Sequence, residues 1–175
     1  VGVIDADLGL MGSDLRAAER TFQIVGQVAG RAGRGERRGL ALIQTHQPEH
    51  PVIRAILSGE DEAFWTAEAA AREAAGMPPF GRLVGVVLSS PDVQAVLDTG
   101  AALARQDGPL RAIGAEVFGP APAPVARVRG RHRVRLLVRA AKGAPLQPAL
   151  AAWVAQVRLP ANLRLALDVD PQSFH

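Results

Sequence analysis

Arg127-Val128-Arg129-Gly130-Arg131-His132-Arg133-Val134-Arg135-Leu136-Leu137-Val138-Arg139 alternates charge with apolar bulk at a period of two. Only an extended backbone sends such an alternation to two separate faces. Arg127, Arg129, Arg131, Arg133 and Arg135 then project from one face, and Arg139 shares their parity. Val128, Val134, Leu136 and Val138 point the other way, into a core. Gly130 is where a bulge would interrupt the alternation and split the row in two. The strand is expected over residues 125–139.

Working outward from it builds the second half of the chain. Downstream, residues 145–157 place Leu146, Leu150, Trp153 and Val154 on one helical face, and residues 163–169 read as a last strand. Upstream, residues 119–124 read as a Pro-Ala turn and residues 115–118 as a strand. Before them comes a helix over residues 91–106, capped by Ser89 or Ser90, with Val93, Val96, Leu97 and Leu103 inward. Residues 83–88 are a further strand. The order β-α-β-β-α-β is that of a ferredoxin-like split βαβ domain.

Further upstream, Met77-Pro78-Pro79-Phe80-Gly81 is a stiff joint. It follows a helix over residues 60–75 containing Phe64 and Trp65, with Gly76 as its C-cap. Ser58-Gly59 separates this helix from a shorter one over residues 52–57, which Pro51 opens. The domain boundary is expected between residues 57 and 81.

The first segment pairs two short apolar runs, residues 1–4 and 40–44, as buried strands around one helix. Ser13 or Asp14 is its N-cap. Leu15, Ala18, Phe22, Val25 and Val28 form its apolar face. Strand, helix, strand is the closing unit of a parallel-sheet α/β domain. Asp5 and Asp7 follow the first strand. They either face a metal or nucleotide, or orient the next loop. His46, Glu49 and His50 lie among prolines that leave their directions unset, so no metal site is assigned.

That helix delivers Gln27-Val28-Ala29-Gly30-Arg31-Ala32-Gly33-Arg34. Arg31 and Arg34 fall on one side of a helical turn. Gly30 and Gly33 clear side chains from the approach of a large anion. Guanidinium groups match phosphate oxygens two at a time, so the octet reads as a phosphate clamp for phosphoryl transfer. The rival reading is a basic helix end that caps its own carbonyls. The whole octet resembles motif VI of superfamily-2 helicases, whose arginines reach the ATP phosphates from the second RecA-like lobe.

The chain has 175 residues, 48% of them hydrophobic, which suffices for one or two small domains with cores. Aromatics are few, at 4%, so those cores rest on aliphatic side chains. There is no cysteine, hence no disulfide and no thiolate zinc site in this chain. No apolar run approaches the ~20 residues that cross a bilayer. The net charge of +3 says little by itself; the placement of the arginines says more. A row of arginines on one sheet face repels itself unless it meets anions. The functional reading is a nucleic-acid backbone or an acidic peptide. The rival is a solvated face paired with Glu116, Asp168 and Asp170. Few aromatics accompany the row, so base stacking is not its mode. The first residue is Val1, and the chain reads as a piece of a longer protein.

With both halves read, the chain resembles the C-terminal part of the bacterial PriA-type (primosomal protein N-prime) replication-restart helicase family. The matching stretches are VGVIDAD (1–7), SDLRAAERTF (13–22), QVAGRAGRG (27–35) and LIQTHQPEHP (42–51). MPPFGRL (77–83), FGPAPAP (118–124), RGRHRVRLL (129–137) and DVDPQSF (168–174) continue it. The resemblance implies an ATP-dependent 3'-5' DNA helicase that recognises stalled or branched forks and starts primosome assembly. It assigns residues 1–57 to the end of the second RecA-like lobe, 58–81 to a helical linker and Pro-rich joint, and 82–175 to the family's C-terminal domain. Gln27, Gly30, Arg31, Gly33 and Arg34 would contact ATP with its Mg2+, and Arg31 and Arg34 would act in catalysis. Implied partners are forked or single-stranded DNA, single-stranded-DNA-binding protein and primosome proteins, with no membrane, in the nucleoid-associated bacterial cytoplasm. The family's P-loop, Walker-B acids and zinc-binding cysteines are absent here and lie upstream in the family, so the chain alone is expected to be inactive. The alternative is a non-catalytic DNA- or protein-binding module acting through the arginine-rich strand.

Overall fold

The alternation that opens the sequence reading persists in the computed structural model, which describes residues 1–10, 16–32 and 39–171. Val134, Leu136, Val138 and Ala140 on strand β5 (Arg131–Ala141) are buried, and the odd-numbered arginines between them are not. Three further strands complete an antiparallel sheet: β3 (Gly81–Ser90), β4 (Glu116–Val128) and β6 (Arg164–Val169), in the order β4-β5-β3-β6. Two helices, α4 (Val93–Arg105) and α6 (Leu146–Ala155), supply the apolar layer, with a short helix α5 (Gly108–Arg111) after α4. Val84, Val86 and Leu88 of β3 join Val96, Leu103, Leu146, Leu150 and Trp153 in the core. Trp153 is fully buried and its indole N–H donates to the Leu103 carbonyl at 2.9 Å, tying α6 to α4. Asp92 caps α4, accepting from Gln94 and Ala95 backbone N–H groups, in place of the expected Ser89 or Ser90.

Val93 and Leu97, expected inward on α4, are instead exposed. Two further expectations change here. Residues 119–124, read as a turn, are extended and belong to β4. β4 lies at the sheet edge, where one row of backbone groups has no ladder partner and proline removes nothing that is needed. The ladder slips between Phe118 and Ala121, and Gly119 sits at the slip with φ +99°. A Cβ there would come within 2.9 Å of the Arg135 carbonyl oxygen, so only glycine fits. The second change is at Gly130, which lies in a tight hairpin turn rather than a bulge; Val128 is on β4 and exposed, not in the core.

The first segment contains β1 (Gly2–Val3), α1 (Ala17–Arg31), β2 (Leu42–Ile43), α2 (Pro51–Ser58) and α3 (Asp61–Ala74). β1 and β2 pair in parallel, Gly2 with Leu42 and Val3 with Ile43. They are not buried as expected: Ile4 is 82% exposed and Leu42 64%. Two strands cannot cover both faces of a parallel sheet, which normally has helices on each side. Phe22 and Val25 are the buried face of α1, and Ala18 and Val28 are half-buried beside them. The proposed caps Ser13 and Asp14, with Leu15, lie outside the described residues. Phe22 stacks on Phe64 of α3 with ring centres 4.3 Å apart, and Trp65 meets both edge-on. His50 caps α2, its Nδ1 accepting from the Val52 N–H, with Pro51 at the first position. The chain divides into two compact units, Val1–Ala70 and Ala71–His175. No helix among the described residues is long and apolar enough to cross a membrane.

Candidate functional site

α1 ends on the octet. Gln27, Gly30 and Arg31 are all exposed, on the side of the helix away from Phe22 and Val25. Gln27 and Arg31 are one turn apart and share that side. Arg31 is the last residue of α1 and makes no ion pair or hydrogen bond among the described residues. The rival reading, a guanidinium spent on its own helix carbonyls, therefore finds no bond to support it there. A cation at this helix end is also favourably placed in the helix dipole. Gly33 and Arg34 lie outside the described residues, so only the first arginine of the expected pair is placed.

The arginine row is divided. A two-residue turn at Arg129-Gly130 reverses the chain, and the register sets Arg127 opposite His132 and Val128 opposite Arg131. Residues directly opposite share a face. Arg127 therefore shares the face of His132 and the even-numbered core positions, not that of Arg131, Arg133 and Arg135. Arg129 occupies the turn itself. The five residues expected on one face are thus three on a face, one across from it and one at the tip.

Of the remaining arginines, Arg131 and Arg139 are visibly committed to the fold. Arg131 donates to the carbonyls of Ser89 at 2.7 Å and Asn162 at 2.9 Å. Arg139 donates through Nε to Glu116 at 2.9 Å and through a terminal nitrogen to the Ala75 carbonyl at 3.0 Å. The rival reading holds for Glu116, but Asp170 turns elsewhere. It accepts from Arg82 at 2.7 Å and from the Leu83 N–H at 3.0 Å, binding the last strand to β3. Arg133 has no partner among the described residues. Ser89 lies opposite Arg133 and Arg164 opposite Ser89, so Arg133 and Arg164 stand two strands apart on one face, roughly 10 Å between backbones. Arg164 was not legible as part of this site, because cross-strand neighbours leave no mark in local spacing.

The profile of the Primosomal protein N C-terminal domain matches residues 73–172, more than half of the chain. The chain belongs to the PriA family. Curated relatives include the replication restart protein PriA of Rickettsia felis, 37% identical over all of this chain. That of Treponema pallidum is 40% identical over 98% of it, and that of Haemophilus influenzae 32% identical over 99%. The chain spans about a quarter of the length of these relatives: 26%, 26% and 24%. The PriA profile match begins just inside the second compact unit, Ala71–His175. In that unit a cleft of about 380 Å³ is lined by Phe80, Glu116, Arg139 and Lys142, among others.

Asp7, in the part that matches the PriA relatives but not the domain profile, has a structural role that its sequence position left open. Its buried carboxylate accepts from the Thr45 hydroxyl and from the His46 N–H, both at 2.6 Å. Its carboxylate therefore holds the loop after β2 against the end of β1, not the loop that follows Asp7 as the loop-orienting alternative expected. The Thr45 hydrogen bond first, then that of His46, hold its carboxyl below the usual carboxylate value. The unfolded chain binds this proton more tightly than the folded one. The stabilisation is thus complete above the unfolded value of ~3.9 and is lost as pH falls through the lowered folded value. Asp7→Asn is expected to lower the melting temperature at pH 7 and to flatten its fall below pH ~4. Parallel acid unfolding curves for variant and parent would contradict this.

Proposed function

We propose that the chain forms the end of an ATP-dependent 3'-5' DNA helicase that recognises stalled or branched forks and starts primosome assembly in replication restart. The observation that carries this reading is the PriA profile over residues 73–172, together with relatives aligned over the whole chain. Residues 1–57 would close a second RecA-like lobe, 58–81 would be the linker, and 82–175 a ferredoxin-like domain. The parallel pairing of β1 with β2 supports the first assignment, as do apolar side chains left exposed where further strands and helices would lie. The antiparallel order β4-β5-β3-β6 supports the last.

Exposed Gln27, Gly30 and Arg31, with Gly33 and Arg34 beyond them, would face ATP and its Mg2+. The nucleotide supplies the phosphoryl group; Arg31 and Arg34 would hold the charge that grows on it during transfer. Forked or single-stranded DNA would meet Arg133 and Arg135, and Arg164 extends that face. The acidic tail of single-stranded-DNA-binding protein would find positive charge at Lys142 beside the cleft.

The test is unwinding of a forked duplex by the intact protein with and without ATP. ATP-dependent 3'-5' strand separation is expected. A protein that binds the fork but neither hydrolyses ATP nor separates strands would favour a second reading. In that case the chain is a non-catalytic binding module, a role suggested by Arg133 on the sheet face, which has no partner among the described residues.

A further inference from the structure

The tip of the β4–β5 hairpin has a local conflict that the fold does not require. Arg129 and Gly130 form the two-residue turn with φ +48° and +76°. Two left-handed residues make a type I′ turn, whose twist matches the strands it joins. Such turns favour Asn-Gly, Asp-Gly or Gly-Gly. Gly130 fits that rule and Arg129 does not. A long side chain at positive φ is uncommon and strained. Strain kept where a common residue would remove it points to a use for that side chain.

The surroundings are consistent with a presented group. Residues 125–130 are all exposed, and Arg127 and Arg129 make no ion pair or hydrogen bond among the described residues. At the base of the tip, Arg131 is fastened to the carbonyls of Ser89 and Asn162. The ribbon is therefore anchored on β3 and on the loop before β6, and its outer end carries two unspent cations. A two-stranded ribbon is narrow enough to enter the major groove of B-DNA, about 12 Å wide, and arginines also enter the minor groove.

We infer that this hairpin tip is a duplex-DNA contact, with Arg129 leading into a groove and Arg127 on a flanking phosphate. The inference rests on the DNA-binding reading above, but concerns a different element from the sheet face of Arg133 and Arg135. Its occupant is double-stranded, because a single strand offers no groove to a ribbon and no aromatic side chain stands at the tip to stack on bases.

Arg129→Asn in the intact protein separates use from fold, since Asn-Gly suits the turn. The variant is expected to melt higher than the parent. It should bind a forked duplex about tenfold more weakly, whereas Arg127→Gln, which removes the phosphate contact, should make the slope of log affinity against log salt shallower by about 0.9. The affinity of Arg129→Asn for a single-stranded oligonucleotide should be unchanged. Duplex affinity equal to the parent's would overturn the inference. So would equal losses on duplex and single strand, or a loss confined to a glutamate-rich peptide. Arg133→Glu with Arg135→Glu, measured alongside, tests the sheet face by itself. If that pair leaves the salt slope unchanged while Arg127→Gln shifts it and Arg129→Asn weakens duplex binding, the face assignment fails and the tip stands. A parent that binds no fork removes both.

Discussion

Replacing Arg31 by alanine in the intact protein is expected to cut DNA-stimulated ATP turnover about 10³-fold. The loss should fall on kcat more than on KM, because the guanidinium matters most when charge has moved onto the transferring group. Arg31→Lys should recover little of it, since an ammonium cannot span two oxygens as the planar fork does. The fold should be nearly indifferent. Arg31 is exposed at the end of α1 and makes no bond among the described residues, so stability should change by less than about 0.5 kcal/mol. Phosphate-release kinetics on forked DNA provide the readout, with circular dichroism as the control for folding. Turnover within about twofold of the parent's would remove Arg31 from the phosphate clamp.

Trp153→Ala is the largest expected stability effect. The side chain is fully buried at the centre of the second unit's core. Removing it takes away apolar contact and leaves a void, which typically costs about 3–5 kcal/mol. That is a large part of the ~5–15 kcal/mol that holds a domain folded. Trp153→Phe keeps most of the bulk but loses the donor to the Leu103 carbonyl, so it should cost about 1–2 kcal/mol. Urea unfolding followed by circular dichroism would rank the three proteins. Equal midpoints for the alanine and phenylalanine variants would mean that the cavity is relieved by collapse of α4 and α6.

Most of the second unit could be read from local pattern. Burial of Val134, Leu136 and Val138 follows from a period of two. Phe22 and Val25 likewise follow from a helical period. The failures have physical causes. Three prolines between Gly119 and Pro124 look like a turn to any local rule, and only the edge position of β4 makes them compatible with a strand. An arginine in a type I′ turn defeats the usual turn signature, so the reversal at Arg129 reads locally as a bulge. Parity along one strand could not say that Arg127 lies on its neighbour, or that Arg164 faces the same way as Arg133 two strands off. In the first unit, the apolar runs around β1 and β2 signal burial by composition, yet Ile4 and Leu42 are exposed, because a pair of strands alone offers no second layer to pack against. The octet's phosphate-clamp reading rests on residue type, and among the described residues Arg31 makes no ion pair or hydrogen bond.

The chain has two tryptophans and no tyrosine, and each compact unit holds one of the two. Trp65 is 37% exposed against Phe22 and Phe64, whereas Trp153 is sealed among aliphatic side chains. Their emission therefore comes from unlike solvents, a wet aromatic edge and a dry hydrocarbon interior. Substituting phenylalanine for either leaves a single fluorophore reporting on one half of the molecule. Loosening of the half that carries α1 could then be watched by its colour while the sheet stays silent.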